Sequence, residues 1–428
     1  MSKREDYEQL DLTPWCTGKL DDVVGAPAPV GLRHFHGIPF RIGDRAGQTE
    51  TPFVLLDADA DPIRIPLGIG ARHVIVAHRL LSGDRDIADG TGRTVARYLF
   101  HLTDGTTSRH EIRRRFHIDI APAQGWDMDL PFEAVLSSTP TVPDRYQGEW
   151  ERLGDRRSEG CLALPPSYFL WTWTNPTPDV AVDSIEIVPE HGRLLVAGIT
   201  VGHADEYPFV RAGAVPMRVT VRGGDSTPDP LDLAISVDRG AASYTYPVTA
   251  SLDDFLAPPV AGWGRVPDPA AGGYAHVAGT PSATVTIRSR GAELARVRWA
   301  DLSDGSPVTE GPVELQLGDG GRNWVHVTVV DDATGRPVPC RVHFRSPDGV
   351  TYQPHGHHEY VSTALGSGGD VRLGGVTYAY IDGTCQGWLP RGQVVAEAAR
   401  GFEYEPLREV LTVEPGTREL TLRLRRWV

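Results

Sequence analysis

The densest run of metal-ligating side chains in this chain is His355-Gly356-His357-His358-Glu359. On an extended segment His355 and His357 project to one face, a spacing at which two imidazoles can share a divalent transition metal, with His358 and Glu359 as further ligands. The competing reading is an exposed polar loop packed by Tyr352, Pro354 and Tyr360. The sequence favours that reading, because a usable zinc site also needs convergent geometry and outer hydrogen-bond partners. Asp57-Ala58-Asp59-Ala60-Asp61 is the oxygen counterpart. Its three carboxylates share a face if the segment is extended, and a structural calcium prefers such ligands. A solvated acidic turn between two strands is the alternative, and it is again the favoured one.

Flat rings beside polar groups suit a sugar, because pyranose faces stack on aromatics while neighbouring side chains take the hydroxyls. Trp126 and Trp150, in turn-rich surroundings, are the candidates for exposed rings, with Arg114, Asp127 and Asn175 as polar partners. Trp171 and Trp173 share one face of a strand, and the competing reading is that this face is core. Glu149, Glu151, Asp127 and Asp129 could supply a glycosidic acid and base, but spacing in the sequence does not fix the separation that chemistry requires. Imidazoles are frequent in the first half, at His34, His36, His73, His78, His101, His110 and His117. They read as scattered surface and edge positions more readily than as one titrating cluster. No nucleophile elbow, phosphate loop or dinucleotide fingerprint is present.

Composition narrows the partners. A formal net charge of -14, with arginines scattered singly, argues against nucleic acid and anionic membrane surfaces and leaves neutral or cationic ligands. The four cysteines, Cys16, Cys161, Cys340 and Cys385, form no Cys-x-x-Cys pair and read as free thiols, several of them buried. The start lacks the apolar core of a secretory signal, and no apolar stretch approaches bilayer length, so the expected location is cytoplasmic.

The elements that must position these residues are strands. Gly 47 and Pro 35 punctuate short runs rich in Val, Ile and Thr, and helical periodicity is nearly absent. Residues 1–29 read as an arm in which Leu10 to Trp15 could lay a first edge strand. Strands follow at Phe53–Leu56, Ile63–Leu67, His73–His78 and Val95–Leu102. An Asp104-Gly105 hairpin leads into a return from Ser108 to Ile118. Tyr168–Trp173, Ser184–Val188 and Leu194–Val201 complete a sandwich over residues 30–213. A second, less regular β-domain spans 214–320, with strands at Met217–Val221, Leu233–Val237, Thr284–Ile287 and Leu294–Trp299 around a Pro- and Gly-rich middle. A third sandwich spans 321–428, opening with Val325–Val330. Gly318 to Gly321 reads as the hinge before it.

Three resemblances attach to these blocks. Asp331-Asp332-x-Thr334-Gly335-x-Pro337-x-Pro339, with Gly392-x-Val394 and Gly401-Phe402-x-Tyr404, resembles the carboxypeptidase regulatory-like, or transthyretin-like, sandwich. Tyr98-x-Phe100-x-Leu102-x-Asp104-Gly105-Thr106 and Trp173-x-Asn175-Pro176-x-Pro178 look like the galactose-binding-like jelly rolls of carbohydrate-active enzymes. Their order, with the tail Leu422 to Trp427, resembles the N-terminal region of the CehA/McbA family of metallohydrolases. In that family a His-x-His hydrolase barrel comes next, whereas this sequence stops at Val428. The expectation is therefore an all-β protein of three consecutive β-sandwich domains: jelly roll, small irregular β-domain and transthyretin-like sandwich. Its expected role is that of a noncatalytic accessory protein that binds carbohydrate or a glycosylated small molecule, or docks a catalytic partner chain. The alternatives are a metal-dependent hydrolase or carbohydrate-active enzyme with an interdomain site, and a structural subunit of a hetero-oligomer; the expected partners also include a second copy of the chain in a homo-oligomer.

Overall fold

Alternating apolar residues become paired strands along nearly the whole chain, and α-helix among the described residues is confined to Leu252–Leu256 and Trp299–Leu302. The computed structural model describes residues 6–23, 28–81, 90–120, 132–137, 167–211, 213–223, 228, 232–243, 245–248, 252–256, 272–318, 321–357, 371–373 and 376–427. The protein is all-β, built from several separate sheets stacked as β-sandwiches. The described residues form two compact units, one up to Val210 and the other from Arg211 onward.

In the first unit, one sheet orders its strands Tyr7–Gln9, Arg193–Gly202, His73–Leu81, Phe169–Thr174 and Val135–Leu136, with Val54–Leu56 also on Arg193–Gly202. The second sheet runs Ile63–Ile69, Val182–Pro189, Thr94–Leu102, Thr107–Arg113. Val74, Val76, Tyr98, Phe100, Trp171 and Ile185 fill the space between them. A third layer was not expected. Gly31–Phe35 and Ile38–Ile42 pair as a hairpin whose central residues, His36 and Gly37, have φ of 50° and 73°. Two positive φ values are what a type I′ turn demands. The hairpin lays Phe35, Ile38, Phe40 and Ile42 over Ile75, Ala77 and Leu195, on the far side of the first sheet. His73–Leu81 is consequently buried at every position, which explains its continuous apolar run.

Arg79 lies in this covered strand on the face of Ala77 and Leu81 and is fully buried. Nη1 donates to the Ser167 carbonyl at 3.0 Å and the guanidinium sits 5.8 Å from the Tyr168 ring centre, while Nε and Nη2 have no hydrogen-bond partner among the described residues. A buried charge this poorly matched is commonly replaced by an apolar chain at no loss. Arg79→Met is therefore expected to melt at or above the parent temperature, as differential scanning calorimetry would read. A melting temperature several degrees lower would mean that the guanidinium is a net stabiliser.

Two local expectations are corrected. Leu10 to Trp15 is not the first strand, which is Tyr7–Gln9 instead. Asp11 Oδ1 accepts hydrogen bonds from the Thr13 amide (3.1 Å) and hydroxyl (2.6 Å), and this turns the chain into the 3-10 stretch Thr13–Trp15. The Asp104-Gly105 hairpin forms, but its return strand ends at Arg113. There the His117 amide bonds back to the Arg113 carbonyl at 2.9 Å, and Arg115 takes a φ of 63°.

The second unit holds two cores. In one, the sheet Gly240–Ala242, Gly273–Gly279, Val215–Val221, Val313–Leu317, Val308–Glu310 packs on the sheet Leu233–Val237, Thr284–Ser289, Ala292–Arg298. In the other, Thr384–Pro390, Arg322–Asp331 and Glu419–Leu424 pack on a sheet ordered Val371–Leu373, Val376–Ile381, Cys340–Arg345, Gly392–Ala399, Leu407–Val413. Val248 and Tyr274 come from the first of these sandwiches but belong to the core of the other. Asp331 ties the second core's turn together. Its Oδ1 accepts from the Ala333 and Thr334 amides, and its Oδ2 from Tyr404 Oη (2.8 Å) and Arg426 Nε (2.6 Å). These bonds hold its carboxyl well below the usual carboxylate range, the Tyr404 bond contributing most. Cys16, Cys340 and Cys385 are free thiols, each pushed up to about 12 chiefly by burial, and Cys161 lies outside the described residues. Among the described residues no helix is long and apolar enough to cross a membrane.

Candidate functional site

The ends of three neighbouring strands in the first unit frame a cleft. His73 begins the central strand and stands opposite both Thr174 and Gly202. The amide of Arg72 donates to the Gly202 carbonyl (2.9 Å), and the amide of Asn175 to the Arg72 carbonyl (2.8 Å), so the strand ends are locked in register. After Gly202 the chain leaves the sheet through a loop carrying Asp205, Glu206 and Tyr207. Together with Arg72, His73, Thr174, Asn175 and Pro178 these line an open cleft of about 310 Å³. That volume falls at the lower end of small-ligand sites, which run from roughly 300 to 1,000 Å³.

The lining mixes preorganised polar groups with a somewhat larger apolar surface. Arg72 Nη1 meets Asp205 Oδ1 at 2.7 Å, and with both side chains exposed the pair adds little to stability. It holds the guanidinium fork and the carboxylate at the rim. His73 is buried, and its Nδ1 lies 3.2 Å from Thr174 Oγ1. Burial lowers its pKa from the ordinary imidazole value, so the ring is neutral at pH 7, and its hydrogen bonds to Thr174 and to the Glu206 backbone fix it as part of the wall. Tyr207 meets His73 edge to face with ring centres 6.1 Å apart. The wall thus combines a cationic donor, two carboxylate acceptors and a flat ring, a set that suits a hydroxyl-rich molecule with one apolar face.

Of the residues picked out in the sequence, Asn175 lines this cleft. Its amide nitrogen donates to the carbonyls of Ala71 (3.0 Å) and Val180 (3.2 Å), and its Oδ1 accepts from the Thr177 amide (3.0 Å) and hydroxyl (3.3 Å). All four hydrogen bonds of the side chain are spent on shaping the loop, so Asn175 builds the rim and has no valence left for a ligand. Arg114 stands elsewhere, its Nε on Asp119 Oδ1 at 3.0 Å. Trp126, Asp127 and Trp150 lie outside the described residues, as do Asp129, Glu149 and Glu151. Arg72, Asp205, Glu206 and Tyr207 escaped sequence reasoning. The only available signal was an acidic pair followed by an aromatic in a loop.

The metal candidates lose the backbone geometry on which they rested. Residues 57–60 form a turn closed by the Ala60 amide on the Asp57 carbonyl (3.0 Å), so Asp57, Asp59 and Asp61 do not alternate along a strand, and Asp57 instead meets Arg193 Nε at 3.2 Å. Pro354 to His357 is likewise a turn, closed by the His357 amide at 3.2 Å with Gly356 at a φ of 86°, so His355 and His357 do not project in parallel. His358 lies outside the described residues. Among the described residues no three His, Cys, Asp or Glu side chains converge as a cation site.

The imidazoles of the first unit are less scattered than their spacing suggested. His73, His78 and His117 are buried. His78 Nδ1 lies 2.7 Å from Tyr98 Oη and Nε2 lies 2.9 Å from the His117 carbonyl, and burial lowers its pKa to about 3. It is a satisfied core histidine. His101 points away from the Phe100 face, as strand alternation requires, and reaches Glu186 at 2.8 Å. Trp171 and Trp173 are both buried in the sandwich core.

No family model matches this chain, and no curated protein matches it. Among solved structures, the Bacillus anthracis TIE protein aligns over 87% of this chain and 57% of its own at 8% identity, with a TM-score of 0.16. BcpA, the major pilin subunit of Bacillus cereus, aligns over 82% of this chain and 99% of its own at 8% identity, with a TM-score of 0.17. The chain therefore spans little more than half the length of the TIE protein. Likenesses at this level carry no argument.

Proposed function

We propose that this is a noncatalytic accessory protein that binds carbohydrate or a glycosylated small molecule in the cleft of its first unit, presenting it to a catalytic partner. The observation that carries this reading is the lining itself. Arg72, Asp205 and Glu206 supply donors and acceptors for hydroxyls around the Tyr207 ring, within a volume suited to one sugar ring. Asp205 and Glu206 are adjacent on one loop rather than facing each other across the cleft, which suits recognition better than paired acid–base work. The resemblance of the chain to the region preceding a CehA/McbA-type barrel fits the same role.

Titration calorimetry against a panel of methyl glycosides tests it. Tyr207→Ala and Arg72→Ala are each expected to weaken the bound glycoside about tenfold, the effect of losing one stacking or charge-assisted contact worth about 1.4 kcal/mol. Unchanged affinity in both variants overturns the assignment of the cleft. Turnover of a glycoside by the purified chain, lost in Asp205→Asn, overturns the noncatalytic role.

A further inference from the structure

A second aromatic site lies in the other unit, on the outer face of the sheet Thr384–Pro390, Arg322–Asp331, Glu419–Leu424. Trp324 stands directly opposite Trp388, and His326 directly opposite Gln386. The two indoles meet edge to face with centres 5.4 Å apart, and His355 meets Trp324 from another side at 5.5 Å. Trp324 Nε1 donates to Gln386 Oε1 at 3.2 Å, which fixes the indole plane. The intervening residues Asn323, Val325 and Leu389 are buried, so this face is the outward one, and it leaves Trp388 52% exposed.

The polar groups around the rings decide what such a face receives. The core of a protein interface is depleted of charge and continuous in its apolar surface. Here the backbones of Gln386 and His326 lie one two-residue step, on the order of 7 Å, along their strands from those of Trp388 and Trp324, and Glu419 stands beside His326 across the parallel pairing. A flat ring bordered by an amide, an imidazole and a carboxylate matches a pyranose, which has an apolar C–H face and a rim of hydroxyls. With a formal net charge of -14 the chain disfavours polyanions, leaving neutral or cationic glycans, of which the neutral ones need no further carboxylates beside Glu419.

We infer that Trp388 and Trp324 form a binding platform for a sugar ring within a neutral polysaccharide, the ring stacking on Trp388 while Gln386 and His326 bond its hydroxyls. The platform belongs to a different compact unit from the cleft and stands or falls independently of it. Affinity electrophoresis through gels containing galactomannan, arabinogalactan or dextran reads it directly. At least one gel is expected to retard the full chain, Trp388→Ala to weaken the dissociation constant about tenfold or more, and Trp388→Phe to restore part of it. Tyr207→Ala, which touches only the cleft, is expected to retain the platform's share of retardation. Because Trp388 is half in water, Trp388→Ala is expected to fold, and its melting curve checks this. Should it not fold, Gln386→Ala together with Trp388→Phe supplies the same readout. No retardation of the parent chain in any of the three gels, or equal retardation of the parent and the platform variants, overturns the proposal.

Discussion

Trp173→Ala is expected to destabilise the first unit by about 3–5 kcal/mol, the cost of removing a large aromatic from a packed core and leaving its cavity. Trp173 is 2% exposed, stacks on Phe100 with ring centres 4.0 Å apart and planes 4° from parallel, and donates its indole nitrogen to Ser108 Oγ at 3.3 Å. Its neighbour Trp171 is wedged among Tyr98, Phe100, His110 and His117. Urea denaturation followed by tryptophan fluorescence gives the change as a lowered midpoint with an unchanged slope. A loss under about 1 kcal/mol would mean that the sheets close around the gap, and the ring would then have to be reconsidered as a ligand contact.

The second large effect is expected at Glu397. This carboxylate is 2% exposed, accepts from Tyr378 Oη at 2.9 Å and from Arg408 Nε at 3.0 Å, and sits on the interior strand Gly392–Ala399. Burial first, and then the carboxylate, raise the Tyr378 phenol above its ordinary value, so it remains a donor throughout the physiological range. Glu397→Ala removes the acceptor of a buried hydroxyl and the partner of a half-buried guanidinium at once. The expected loss is about 3 kcal/mol, within the range found when one member of a buried pair is deleted. Glu397→Gln keeps an acceptor for Tyr378 and is expected to lose about half as much. Chemical denaturation of both variants checks the ordering, and equal stability of Glu397→Ala and the parent would show that water replaces the carboxylate freely.

The sequence made the strands legible wherever side chains alternated or ran apolar between turn residues, as at Ile63–Ile69, Leu233–Val237 and Arg322–Asp331. It hid the hairpin Gly31–Ile42, because His36-Gly37 reads as imidazole chemistry and only the backbone reveals it as a turn. It also hid Gly273–Gly279, whose glycines and alanines lack the usual strand signature. Packing explains that choice of residues. A Cβ on Gly279 would fall 2.6 Å from the Trp299 ring, so the small residue is what lets the ring lie against the strand.

Site reasoning failed where it assumed an extended backbone. The spacing of Asp57, Asp59 and Asp61, and of His355 and His357, carries chemistry only on a strand, and both segments turn. Asn175 led to the cleft through the loop it shapes. Arg72, Asp205 and Tyr207 meet only when strands distant in sequence are brought into register, which no local pattern announces.

Val248 and Tyr274 cross from one sandwich of the second unit into the core of the other. Such a shared seam makes the pair a single cooperative block. The half from Arg322 to Leu424 borrows these two side chains for its interior, so severing the backbone between the halves would strip apolar floor from it and leave the plugs dangling from the other. The sandwiches are best regarded as one thermodynamic body that happens to carry two sets of sheets.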